Sequence, residues 1–123
     1  MGNNEAMRPN QVVLMDGASD KQRLIHDLAE RAAVALGLDA SKLAAALLRR
    51  EDLGSTGLGG GIAIPHTRML GVQTPFAVLA ILRAPVPFDA IDDRPVDIVF
   101  LLVAPDNGEA LKALAGISRV LRD

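Results

Sequence analysis

The chain has no cysteine, no tryptophan and no tyrosine, and only three phenylalanines in 123 residues. The missing thiol removes disulfides, thiolate nucleophiles and cysteine-held metals together. The scarcity of aromatics removes the platforms on which single-stranded nucleic acid stacks, and a formal net charge of −2 offers a duplex no basic footprint. Nucleic acid is excluded as a partner on both counts. Membrane insertion is excluded too, because the longest apolar runs, such as Ile98–Ala104, fall far short of ~20 residues. Met1 to Pro9 is polar, without the apolar stretch of a signal peptide, so the expected location is cytoplasmic.

Half of the residues are apolar, mostly Ala, Leu, Val and Ile, enough for one aliphatic core and too few for two domains. Residues 1–10 are expected to form a flexible N-terminus. Gln11–Met15 reads as a strand closed by Asp16 and Gly17. Ser19, with Gln22 as its capping-box partner, is the expected N-cap of a helix running to Gly37, with Leu24, Ile25, Leu28, Ala32, Ala35 and Leu36 on one face. Asp39 starts a second helix, its core face at Leu43, Leu47 and Leu48 and its charged end at Arg49–Asp52.

Gly54–Gly61 holds five glycines in eight positions and is expected to be a loop. A short strand, Ile62–Ile64, follows and ends at Pro65. Phe76–Leu82 and Val96–Val103 are almost continuously apolar, the pattern of central strands covered on both faces. A Pro- and Asp-rich connection, Ala84–Pro95, joins them. Asp106–Gly108 leads into a last helix with Leu111, Leu114, Ile117, Val120 and Leu121 on one face. The order is strand, two helices, three strands, helix, a mixed α/β layered domain.

With two histidines and no cysteine, the chain has few groups suited to nucleophilic work at neutral pH. His26, in the first helix, reads as a surface residue. His66 follows a strand and a proline that fixes the backbone, beside a glycine-rich loop, and so is rigidly aimed. The loop admits two readings. Its backbone N–H groups, with the hydroxyls of Ser55 and Thr56, could converge on an anion, or it could be a tight crossover that needs positive φ. It is neither a Walker A loop nor a dinucleotide fingerprint. Arg50, from the residues alone, is one more solvated arginine in a charged run, although a guanidinium beside a histidine would bind phosphate oxygens. One histidine with carboxylates is a poor zinc set, so no metal is expected.

The seventeen residues from Arg50 to His66, Arg-Glu-Asp-Leu-Gly-Ser-Thr-Gly-Leu-Gly-Gly-Gly-Ile-Ala-Ile-Pro-His, resemble the active-site signature of type-2 EIIA domains of the phosphoenolpyruvate-dependent phosphotransferase system. Pro87–Asp92 and Pro95–Leu102 are similar to that family's strand pair and its connection. The resemblance covers about Ser19 to the end and is greatest to the nitrogen-regulatory subtype. It implies a three-layer α/β/α fold with a central mixed sheet, over residues 11–123. It also implies that His66 accepts a phosphoryl group from an HPr-like carrier, that Arg50 stabilises the phosphate, and that Ser55, Thr56 and Gly57 form the phosphate-binding loop. No cofactor or metal is implied, and regulatory targets such as transporters or kinases are the expected further partners.

Three departures bear on this. Thr67 follows His66 where the family usually has a small residue such as glycine. Ala110 stands where a second histidine is common. Family members usually continue past Asp123 with a helix-containing segment, so the chain is expected to be either naturally short or trimmed, with an apolar surface exposed for association in the trimmed case. Two alternatives therefore stand beside the phosphocarrier: a binding module impaired in phosphorylation, and a sugar-specific EIIA that passes its phosphate to an EIIB domain.

Overall fold

A computed structural model describes residues 8–106 and 109–122; Met1–Met7, Asn107, Gly108, Asp123 and the side chains of Leu111 and Val120, about which the sequence made expectations, lie outside the described residues. The elements are β1 (Gln11–Met15), α1 (Lys21–Leu36), α2 (Ala40–Asp52), β2 (Gly57–Gly59), β3 (Ile62–Ala63), β4 (His66–Arg68), β5 (Phe76–Val86), β6 (Val96–Ala104) and α3 (Glu109–Arg122). They form one mixed sheet in the order β1-β5-β6-β3-β2, with β4 also on β6. β1 is parallel to β5, β5 antiparallel to β6, and β3 and β4 both parallel to β6.

The side-chain alternation of β6 makes the three layers. Val99, Leu101 and Val103 join the cluster under α1 and α2, with Leu24, Leu28, Leu43 and Leu47. Phe100, Leu102 and Ala104 point the other way and meet Ala113 and Ile117 of α3. Each fully buried Leu or Ile contributes roughly 1.5–3 kcal/mol of transfer free energy. Coverage on both faces holds for β6 but fades along β5, where Ile81 is 41% exposed. On β1, Val12 and Leu14 are also exposed.

Several boundaries differ from expectation. The cap of α1 is Asp20, not Ser19: its carboxylate accepts the Arg23 N–H at 2.8 Å. Both residues can cap, and the acidic one sits next to the first helical turn. Asn10 is tied to β5, giving its N–H to Ala77 O and accepting the Ala77 N–H on its side chain, each at 2.8 Å. β5 runs through Pro85 to Val86 with a register irregularity after Ile81, which shortens the connection to β6.

The glycine run is not wholly loop. β2 and β3 form a hairpin whose two central residues, Gly60 and Gly61, both have positive φ, +66° and +84°, as a tight primed turn requires. β3 ends at Ala63, just before Pro65, but the chain does not leave the sheet there. Ile62 pairs with Ile98, Ala63 with Val99, His66 with Leu102 and Thr67 with Val103, so β3 and β4 lie along β6 in one unbroken register. Proline lacks an N–H but keeps its carbonyl, and Pro65 O accepts the Leu102 N–H at 2.9 Å.

Gly57 is required by packing. A Cβ there would lie 2.7 Å from Ala90 Cβ and 2.9 Å from its Cα. Gly57→Ala is expected to cost about 1–3 kcal/mol, measured by thermal unfolding. An unchanged midpoint would contradict this close approach.

Candidate active site

His66 is the first residue of β4, held between the β6 ladder and the end of α2. Its two ring nitrogens have different partners. Nδ1 lies 2.8 Å from Ile64 O, and a carbonyl only accepts, so Nδ1 carries the proton. Nε2 receives the Arg50 Nε–H at 3.3 Å and so presents a lone pair. Arg50 is itself braced, because its Nη1 donates to Gly54 O at 2.9 Å. The arginine that reads as solvated in the sequence thus meets the histidine sixteen residues away.

Burial is the main cause that holds the His66 pKa below its ordinary 6.5. The bond to Ile64 opposes this, the Arg50 charge adds to it and the Glu51 charge opposes it. The ring is therefore neutral at pH 7. Because the folded pKa lies below the unfolded one, the unfolded chain binds more protons near pH 6. The stability contributed by the neutral ring is present above 6.5 and is lost as pH falls through the folded value. An NMR titration of the His66 ring is expected to give a midpoint below 6.5; a midpoint at or above it would contradict the burial of a neutral imidazole.

Ser55, Thr56 and Gly57 have their polar groups engaged inside the protein. Ser55 Oγ donates to Phe88 O at 2.6 Å and accepts the Gly57 N–H at 3.0 Å. Thr56 is buried; its N–H donates to Glu51 Oε1 at 3.0 Å and its hydroxyl to Glu51 Oε2. Of the two readings of this loop, the geometry favours the crossover: these groups shape the backbone that leads to His66. Glu51, read in the sequence as part of a solvated end, is buried and paired with Lys21 Nζ at 2.9 Å. The spacing Leu43, Leu47, Glu51 was the available signal, since steps of four keep a helix residue on one face.

An open cleft of about 570 Å³ leads to His66, lined by Arg49, Arg50, Arg68, Thr67, Ala110 and Leu114 among others. Arg68 stands two residues after His66 on β4 and so on the same side of the strand. Sequence reasoning missed it because β4 itself was not expected. Thr67 and Ala110, two of the three departures, both line the cleft. Arg68 Nη1 lies 3.8 Å from Asp106 Oδ1, and both side chains are largely exposed. His26 is exposed in α1 and lines a different pocket. Among the described residues no group of three His, Asp or Glu is placed to hold a metal.

Residues 5–123 match the family described as phosphoenolpyruvate-dependent sugar phosphotransferase system, EIIA 2. The chain is 38% identical over 121 residues to a nitrogen regulatory protein of Bradyrhizobium diazoefficiens, covering 97% of this chain and 79% of the relative. Among solved structures it is similar to nitrogen regulatory protein IIA-Ntr of Neisseria meningitidis, with a TM-score of 0.84 at 36% identity, over 92% of this chain and 78% of that one. It is also similar to IIA mannitol of Escherichia coli, with a TM-score of 0.74 at 26% identity, over 91% and 80% of the two chains.

Proposed function

The chain belongs to the phosphoenolpyruvate-dependent sugar phosphotransferase system EIIA 2 family, and from that premise we propose that it is a phosphocarrier whose His66 Nε2 accepts a phosphoryl group from an HPr-like protein. The observation that carries this is the pair of hydrogen bonds on the ring, which leaves a lone pair on Nε2 and puts a guanidinium beside it. The carrier's P–N bond breaks as the Nε2–P bond forms, and the leaving electron pair returns to the carrier's nitrogen. Positive charge developing on the ring is met at Nδ1–H by the Ile64 carbonyl. Arg50 moves its donors from Nε2 to the incoming phosphoryl oxygens, so positioning and charge supply the catalysis. Arg49 and Arg68, in the same cleft, make its entrance attractive to an anionic group.

Residues 11–123 act as one EIIA unit, and the proposed location is the cytoplasm. No helix of the described residues is long and apolar enough to cross a membrane. Similarity to nitrogen regulatory proteins favours a regulatory role, with transporters or kinases as targets. The likeness to a mannitol IIA keeps onward transfer to an EIIB domain as the second reading.

The test is incubation with phosphoenolpyruvate, enzyme I and an HPr-like carrier, followed by mapping of the label. One acid-labile phosphoryl group on His66 Nε2 is expected. An unlabelled protein beside a phosphorylated carrier, as a phosphorylation-impaired module would give, or label on His26, would overturn the proposal. Loss of label to an added EIIB would select the sugar-specific reading.

A further inference from the structure

Both nitrogens of His66 are governed from the same helix end, by adjacent residues. Arg50 contacts Nε2 directly. The path to Nδ1 is longer and leaves from Glu51. The Glu51 carboxylate takes two bonds from Thr56, one from the backbone N–H and one from the hydroxyl. Thr56 O in turn accepts the Ile64 N–H at 3.1 Å. Ile64 O receives the His66 Nδ1–H. Every polar group along this path has a partner, and Glu51 is anchored at its far end by Lys21 of α1.

We infer that Glu51 is a positioning residue for phosphoryl transfer, fixing the His66 tautomer through Thr56 and the Ile64 backbone.

The backbone of Ile64 is the pivot of this path. Its N–H is fixed by Thr56, and the peptide after it leads into Pro65, whose carbonyl is fixed by Leu102. A residue before proline is confined to extended conformations, so little freedom remains for the Ile64 carbonyl. If Thr56 shifts, that carbonyl shifts with it and the Nδ1–H loses its acceptor. A neutral imidazole can carry its proton on either nitrogen, and the hydrogen bond at one nitrogen decides which form is present. Protonation at Nε2 would remove the nucleophilic lone pair and set an N–H against the Arg50 N–H. A carboxylate suits the far end because both Thr56 groups are donors, and its two oxygens serve them separately while the charge is met by Lys21. Buried partners of this kind, lying behind a reacting group, commonly change rates by about 10–100-fold when altered in metal sites, and the same orienting logic applies to a reacting imidazole.

The inference rests on the reading of His66 as phosphoryl acceptor, but its central measurement does not. Nitrogen-15 NMR of the unphosphorylated ring reports the tautomer in wild type, Glu51→Gln, Thr56→Val and Thr56→Ser. Wild type and Thr56→Ser should show Nδ1–H. Glu51→Gln and Thr56→Val should both raise the Nε2–H fraction and lower kcat for transfer by about tenfold, with KM for the carrier unchanged. Thr56→Val keeps the carboxylate and the Lys21 pair, so the question stays answerable if Glu51→Gln folds poorly. A ring that stays Nδ1–H in folded Thr56→Val, or a loss confined to KM or to thermal stability, would overturn the positioning role. A wild-type protein that takes no label would sink the phosphoryl reading alone, because the tautomer shift is still read directly.

Discussion

Arg50→Ala is expected to slow phosphoryl transfer to His66 by about 10²–10³-fold, the effect of removing one preorganised donor from a site where charge develops. The bond from Arg50 Nε to His66 Nε2 at 3.3 Å is a resting contact, long enough to be exchanged for one to phosphate. Its second anchor, Nη1 on Gly54 O, keeps the guanidinium plane at the site while that exchange occurs. Arg50→Lys should recover only part of the rate, because an ammonium lacks the planar fork that spans a phosphoryl group and a backbone carbonyl together. Single-turnover transfer from the phosphorylated HPr-like carrier measures this, with thermal unfolding as a control for the fold. If Arg50→Ala accepts phosphate within threefold of the wild-type rate, the arginine is not part of the transfer machinery, and Arg49 or Arg68 of the same cleft must carry the charge.

Lys21→Ala is expected to destabilise the fold by about 3 kcal/mol, because it leaves the Glu51 carboxylate buried without its cation. The Glu51 side chain is 3% exposed and that of Lys21 19%, so this is not a surface pair. The Lys21 ammonium also sits 4.6 Å above the Phe88 ring, and the substitution removes that cation–π attraction as well. The two Thr56 donors still reach the carboxylate, which places the cost at the lower end of the range for broken buried pairs. A chain of this length should show a fall of roughly 10 °C in Tm. Arg23 and Asp27 supply the contrast, a pair at 3.2 Å whose arginine is 66% exposed; Arg23→Ala should cost under about 1 kcal/mol. Equal costs for the two variants would show that the Lys21–Glu51 pair is no better than a solvated one.

The sequence by itself determined a good deal. The spacing of apolar residues marked α1, α2 and α3, since a 3.6-residue period leaves few other ways to bury Leu24, Leu28, Leu43, Leu47 and Ile117. Gly37 at the end of α1, with φ of +70°, is where the local rule put it. The apolar runs of β5 and β6 marked strands at the middle of a sheet. Composition removed thiol chemistry, and the signature from Arg50 to His66 pointed to the family.

Tertiary structure decided the rest, because those features depend on partners distant in sequence. β2 and β4 are three residues each and have no periodicity to read; they exist because β6 and β3 offer ladders to them. Pro65 interrupts a ladder without turning the chain, which only the register of β6 reveals. Whether Glu51 is solvated or buried depends on Lys21 of α1 and Thr56 of the crossover. Above all, the sequence placed a histidine at the end of Gly61–His66 but could not say which ring nitrogen carries the proton. That was settled by Ile64 O on one side of the ring and Arg50 on the other. A proton's position on an imidazole is fixed by hydrogen-bond partners in space, and no single residue's identity carries that information.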